Sequence, residues 1–499
     1  MLTVDKTDGT FLYEQVVHLI AGQVENGALR PGDRLPSLRG LSRRLDISVP
    51  TVRQAYLELE RQGRIEARPK SGYFVQASRQ NRLVRGARVS GKPSTVKRQA
   101  LIDRVYDHIH QTGLLPLGIA NPGMAHPATR TLHRAMKRVM ARTESRLLGY
   151  APAYGDPGLC RQIAYRYLNQ GGSVDPAEVL ITNGGQEALT LALQSVARSG
   201  DVIAVESPAY YGGLELIESL GMLALEIDTC PVNGVSLSAL SKALEEHDIR
   251  ACLFSAAVSN PLGCVSSDEG RRNLVQLLES RDVPLIEDDV YGDLVFSGER
   301  PRPAQFYAQR GQVLTVGSFS KTVAPGYRIG WLLPGRHLGR ARKLKRAISC
   351  SSGLLQQLTL REFINSGDYD RHLNRLRPKL QHNAERMIAC IEQYFPAETA
   401  ISRPCGGSVL WLELPGGVDS EVLFDRAIDI GISITPGRIF SPADRYRNYM
   451  RLSFGHPWSE AIESGLEALG RLVRELAVSG RTPAPVPARH GQNLNPRVS

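Results

Sequence analysis

The sequence predicts a multidomain chain: an N-terminal α+β module of three helices and a β-hairpin, an α/β domain with a mostly parallel central sheet, and a smaller C-terminal α+β subdomain. Three observations lead there. The 499 residues exceed one ordinary core, since roughly 150 residues per domain is usual. Apolar residues recur at helical spacing in a compact stretch from Thr10 to Val75. From Val179 onward, short apolar runs alternate with helix-like stretches, as βαβ crossovers require. A composition of 42% hydrophobic and 22% charged residues excludes a disordered or fibrous chain.

In the N-terminal module, Leu12, Val16, Leu19 and Ile20 mark a first helix, Leu38, Leu41 and Leu45 a second, and Val52, Tyr56 and Leu59 a third. Pro31-Gly32 separates the first two, and Asp46-Ile47-Ser48 the last two. The alternating segment RIEARPKSGYFV then reads as a hairpin around Pro69-Lys70-Ser71-Gly72. Three helices and a wing match a winged helix-turn-helix, whose third helix enters the major groove of DNA. With Val52, Tyr56 and Leu59 turned inward, Thr51 and Arg53 face away from the core and reach outward.

Residues 1–76 thus form one domain and residues 77–100 a linker. Between Ala77 and Arg98 stand seven basic residues (Arg79, Arg82, Arg85, Arg88, Lys92, Lys97 and Arg98) and no acidic one. Such a run is either a solvated linker or a contact to a polyanion, and the whole-chain charge of +11 favours a polyanionic partner. The start, MLTVDKTDGTFLYEQ, carries no basic segment followed by an apolar stretch, and no apolar run is long enough to cross a bilayer. The expected location is the cytoplasm, without membrane contact. Seven cysteines are scattered singly, with no CxxC pair and no histidine at zinc-site spacing, so reduced thiols and no metal site are expected.

Residues 101–478 form the large α/β region with its C-terminal subdomain, the latter marked by SVLWLEL and YMRLSFG. A disordered tail is expected over 479–499. Ligands in open α/β sheets bind at the carboxyl ends of the strands, and five segments fall there. VLITNGGQEA places Gly184, Gly185 and Gln186 at a helix start, where backbone N–H groups favour a phosphate, or where glycines allow close packing. Tyr210 stacks on a flat ring or fills a gap. Asn260 donates to a ligand or makes a turn. Asp288 and Asp289 suit a metal, a solvated loop or a cationic ring nitrogen. The run VGSFSKTVAPGYRIG gathers Ser318, Ser320, Lys321 and Arg328. A lysine forms a Schiff base only when its amine can lose a proton, which burial and nearby cations favour.

PGDRLPSLRGLSRRLDISVPTVRQAYLELERQG, followed by GYFV, resembles the DNA-binding domain of GntR-type bacterial regulators over nearly all of residues 10–76. That resemblance implies a double-stranded operator as partner, contacted by Arg39, Ser48, Thr51, Arg53, Lys70 and Gly72. Ser48-Val49-Pro50-Thr51 stands where the family often has Ser-Arg-x-Thr, so one habitual arginine contact is absent. The five strand-end segments together resemble the pyridoxal-phosphate (PLP) enzymes of the aspartate-aminotransferase type over about residues 101–475. The fused pair resembles the MocR type of GntR regulators.

On this resemblance Lys321 holds PLP as a Schiff base, and Asp288 pairs with the pyridinium nitrogen. Asn260 and Tyr291 donate to the ring 3′-oxygen, and Tyr210 stacks on the ring. The phosphate is held by Gly184, Gly185, Gln186, Ser318, Ser320 and Arg328. Tyr150, in LLGYAPAYGDPG, reaches the phosphate of the neighbouring subunit, which implies a homodimer. Arg451, in MRLSFG, takes the α-carboxylate of a substrate or effector; otherwise it is a surface arginine on an edge strand. The expected function is a PLP-dependent transcription regulator that senses PLP or an amino compound. The alternative is a working aminotransferase that carries a DNA-binding module.

Overall fold

The computed structural model describes residues 12–479, except 26–27, 30–31, 62–64, 69–71, 76–82, 85, 87–88, 90, 97–98, 110, 112, 121–122, 124–125, 144–146 and 297. Helices Leu12–Glu25, Leu38–Leu45 and Val49–Arg61 close on one core of Val16, Ile20, Leu41, Leu45, Val52, Tyr56 and Leu59. Ser37 caps the second helix through the Gly40 N–H at 3.1 Å. Asp46, in the left-handed region with φ 51°, ends it and turns the chain. The wing pairs Ile65–Arg68 with Gly72–Val75 in antiparallel register. Tyr56 joins wing to third helix: its hydroxyl donates to the Pro36 carbonyl at 2.8 Å, and its ring meets Tyr73 edge-on at 4.9 Å.

The central sheet has eight strands, in spatial order Leu180–Thr182, Gly330–Leu333, Val313–Ser318, Leu285–Asp288, Ile249–Phe254, Val202–Ser207, Leu223–Cys230 and Gly234–Val235. The four interior pairings from Val313–Ser318 to Leu223–Cys230 are parallel. The apolar runs VLIT, VIAVE, ACLFS, VPLIED and VLTVG all fall on strands. Three strands escape a reading by apolar runs, the short edge strand Gly234–Val235 among them. Leu223–Cys230 is interrupted by Glu226 and Asp228, and Gly330–Leu333 runs antiparallel between two neighbours. Buried Glu226 is tolerated because Ser207 Oγ donates to it at 2.7 Å and Arg445 Nε lies 3.1 Å away.

The C-terminal subdomain is an antiparallel sheet of Ala400–Ile401, Val409–Glu413, Tyr449–Ser453 and Thr435–Pro436. Helices Asp368–Tyr394 and Glu460–Ser479 share its core through Met387, Leu410, Leu452 and Leu466. Part of the stretch read as a linker is docked instead: Leu83 bridges to Ile401 and Ser94 to Ala224, while Val84 and Val96 are buried. Arg79, Arg82, Arg85, Arg88, Lys97, Arg98 and the tail from 480 lie outside the described residues. Among the described residues no helix is long and apolar enough to cross a membrane.

One ion pair fixes the start of helix Gly184–Val196, which supplies the glycine loop. Lys345, fully buried, donates to both carboxylate oxygens of Glu187 at 3.1 Å, to Ser349 at 2.7 Å and to Ser352 at 3.1 Å. Glu187 in turn accepts from the backbone N–H of Asn183, at the N-cap. Lys345→Met leaves that carboxylate without its cation, a loss of about 3–5 kcal/mol for a buried pair. The thermal midpoint of this domain should fall, and Glu187→Gln in the same chain should recover part of it in a calorimetric scan.

Candidate functional site

The carboxyl ends of the parallel strands bring most of the expected residues together. Lys321 follows the strand Val313–Ser318, and its Nζ donates to the Ala120 carbonyl at 2.8 Å. Burial, then Arg451 and Arg328, lower its pKa to about 8 against the opposing field of Asp288. Asp288, 8% exposed at the end of Leu285–Asp288, is raised to about 6, chiefly by burial. The Val290 N–H at 3.3 Å and Lys321 oppose that rise. The next carboxylate has a different task. Asp289 is paired with Arg300, which also holds Asp293 at 2.7 Å. Among the described residues no group of three or more acids, histidines and cysteines is placed to hold a metal ion.

Gly184 opens its helix at φ +80°, and a Cβ there would lie 2.5 Å from the Arg328 guanidinium. Only a glycine lets that cation approach the loop. Arg328, itself left-handed at φ 52°, donates to the Asn183 carbonyl at 3.3 Å. At Gly185 a Cβ would meet Val290 at 3.4 Å, ordinary contact, so nothing steric demands glycine there. Gln186 donates to the Gly212 carbonyl at 2.9 Å. Ser318 Oγ donates to Ser320 Oγ at 3.0 Å and accepts from the Ser320 N–H at 3.1 Å.

Arg451 lies on an interior strand, 2% exposed, which rules out the surface reading. It donates to the Gly118 carbonyl at 2.9 Å and to Asn260 Oδ1 at 3.3 Å. Tyr291 is buried beside Ser408, but its hydroxyl meets no hydrogen-bond partner among the described residues. Burial pushes its pKa up to about 12, so it is a neutral donor awaiting an acceptor. Tyr210 packs against two apolar clusters, one containing Leu214 and Ile217 and the other Tyr211, Trp411 and Phe440. Tyr150, by contrast, is 91% exposed, unlike these buried groups.

Sequence reasoning missed the Glu187–Lys345 support and the Asp289–Arg300–Asp293 cage. The acid-free run from Arg300 to Arg361 was the only available signal for either.

In the N-terminal module, Arg39, Ser48 and Arg53 are exposed and Thr51 half-buried. The third helix starts at Val49, capped by Ser48, whose Oγ accepts from the Thr51 N–H at 3.2 Å and lies 2.7 Å from the Thr51 hydroxyl. Gly72, at φ +105°, opens the second wing strand; Lys70 lies outside the described residues.

Residues 113–469 match the family model of class I and II aminotransferases, and residues 12–75 that of bacterial regulatory proteins of the gntR family. The chain is 35% identical over 463 residues to the uncharacterized HTH-type transcriptional regulator YjiR of Escherichia coli strain K12, covering 92% of this chain and 98% of that one. It belongs to the HTH-type transcriptional regulators that join a gntR-family domain to a class I and II aminotransferase domain. The HTH-type transcriptional regulator TauR of Rhodobacter capsulatus is 30% identical over 476 residues, covering 93% and 96% of the two chains. LysN, an α-aminoadipate aminotransferase of Thermus thermophilus solved with N-(5′-phosphopyridoxyl)-L-leucine, superposes with a TM-score of 0.69 at 26% identity, over 77% of this chain and all of that one.

The regulator's cofactor is PLP. The site fits it: the Gly184 cradle beside the Arg328 cation suits a phosphate, and the Tyr291 hydroxyl lacks an acceptor. Asp288 lacks a full counter-charge, and Lys321 is poised to lose its proton.

Two outcomes follow. Uptake of PLP by the cofactor-free protein, followed by its visible band, should quicken with pH and level off above about 8, because the lowered lysine is already neutral there. An ordinary lysine would keep gaining toward pH 10.5. Arg53→Ala should weaken binding to a fragment of the regulator's own promoter by about tenfold, within the ~1–3 kcal/mol usual for a lost arginine contact. Fluorescence anisotropy would measure it, with the PLP spectrum unchanged.

Proposed function

We propose that the chain is a MocR-type, PLP-dependent transcription regulator, acting in the cytoplasm as a homodimer, whose aminotransferase-like domain senses PLP itself or an amino compound at Lys321. One observation carries this reading. A single chain presents an exposed DNA-reading helix and, separately, a buried site where Lys321, Asp288 and Arg451 converge.

Bound there, PLP supplies an aldehyde that captures primary amines and a ring that withdraws electrons. The residues of the chain do the rest. Asp288 holds the ring nitrogen protonated, Tyr210 covers the ring face, and Asn260 and Tyr291 donate to its 3′-oxygen. Arg328, Ser318, Ser320 and the amides of Gly184, Gly185 and Gln186 hold the phosphate. Arg451, whose donors already face three oxygen acceptors, takes a ligand carboxylate. Exposed Tyr150, next to Leu148 at 92% exposure, supports a second subunit that receives it. On the DNA side, Arg39, Ser48, Thr51, Arg53, Lys70 and Gly72 form the contact surface. A ligand regulates only by binding one state of the domain better than the other.

The completeness of Lys321, Asp288 and Arg451 equally suits turnover. The visible spectrum during titration with amino acids and then a keto acid separates the two. A shift that stops at a stable new band, with altered gel-shift affinity for the promoter fragment, is expected for a sensor. Decay of the band that the keto acid restores would show a working aminotransferase. Promoter affinity indifferent to PLP and to every amine would refute sensing.

A further inference from the structure

The chain that leaves the DNA-binding domain is seated on the aminotransferase-like domain at successive points. Leu83 bridges to Ile401, and Val84 is 4% exposed. Gly86 passes so close that a Cβ would lie 2.8 Å from the Thr229 carbonyl oxygen. The Val89 N–H donates to Asp228 Oδ1 at 2.7 Å, and the Gly91 carbonyl lies 2.6 Å from His247 Nε2. Ser94 and Ala224 exchange both backbone hydrogen bonds, at 2.9 and 3.0 Å.

Val84 is buried in one apolar cluster with Tyr211, Trp411 and Phe440, and with Leu101 and Ile102 of the helix Gln99–Ile109. Arg451 lies over the rings of Tyr211 and Phe440, at 5.6 and 5.1 Å, and stands opposite Trp411 across the sheet. The cluster that seats the linker therefore also backs the arginine that faces the ligand. A carboxylate at Arg451 finds the Nε–H without a partner among the described residues and competes with Gly118, Asn260 and Thr435 for the other donors. Pairing its charge also weakens its hold on the two ring faces. Rings packed at interior density do not shift without their neighbours.

We propose that the docked points Leu83, Val84, Gly86, Val89, Gly91 and Ser94 act as a strap that reports the occupancy of Arg451 to the DNA-binding domain. A carboxylate-bearing amine there displaces Tyr211 and Phe440 and loosens the seat of Val84. This rests on the sensing reading above, and the coupling is reciprocal: bound promoter DNA changes amine affinity by the same factor as the amine changes DNA affinity.

The test uses the full-length, PLP-loaded chain, its own promoter fragment, and the common L-amino acids and β-alanine in turn. Where an amino acid changes wild-type DNA affinity, by roughly tenfold in the usual range of such couplings, Val84→Ala and Gly86→Val should each cut that change to about twofold or less. The cofactor spectrum and its response to the amino acid should be retained. An undiminished response in both variants overturns the strap and leaves sensing standing. A wild-type affinity that no compound moves overturns sensing, and the strap with it. A second measurement needs no variant. Hydrogen exchange of the Val89 and Ser94 amides in the wild type should quicken by about threefold or more when the amino acid is added, as local opening requires; unchanged exchange overturns the proposal.

Discussion

A buried carboxylate stays charged only beside a cation or a set of donors, and the strand Leu285–Asp288 runs into three in succession, Glu287, Asp288 and Asp289. Asp289 is held by Arg300, which also grips Asp293; Arg166 at 3.3 Å and the Tyr369 hydroxyl at 2.7 Å complete that cage. Asp293 is accordingly pulled well below the ordinary carboxylate range, its two arginines outweighing its burial. None of these cations reaches Asp288. It keeps one backbone donor and the field of Lys321, which is why it remains available to a cationic ring nitrogen. The division of labour between adjacent aspartates, one structural and one chemical, sets the polarity of the whole site.

The same constraint shapes the phosphate end. A helix start that carries Gly184 at positive φ has no side chain of its own to hold it. Glu187 anchors it by reaching back to Asn183, and Lys345 from the helix Leu338–Ile348 pairs with the same carboxylate. Arg328 then approaches from the opposite side, over the gap that the missing Cβ leaves. The loop and its supporting residues thus come from different elements, and a loop of two glycines gains a defined shape with a cation beside it.

What the sequence made legible follows from this. Strand ends announce themselves because apolar runs stop abruptly at Gly184, Tyr210, Asn260, Asp288 and Ser318, and a ligand site at those ends is a property of parallel sheets. The winged module was legible because its core positions keep helical spacing, and Tyr56 holds the wing where the pattern implied. Support residues stayed hidden for a physical reason. Lys345 lies in a run of basic residues that reads as a solvated helix face, and only its partner, 158 positions away, reveals that it is buried. Part of the linker was misread in the same way. Val84 and Val96 are isolated apolar residues among cations, too sparse for a periodic signal, yet each finds a prepared apolar seat.

Sensor and enzyme draw on one set of groups, because capturing an amine needs the neutral lysine, the ring partner and the carboxylate arginine whether or not turnover follows. The difference lies in where binding free energy goes. A catalyst directs it to the transition state, whereas a regulator directs it to a second arrangement of packed elements. A tenfold change in DNA affinity needs only about 1.4 kcal/mol, a small fraction of what a carboxylate and an amine gain in a buried site. Arg451 is placed to divert that amount. It already holds three acceptors and two ring faces, so a ligand carboxylate competes for contacts as well as adding its own, and the rings it would disturb belong to the cluster that seats Val84.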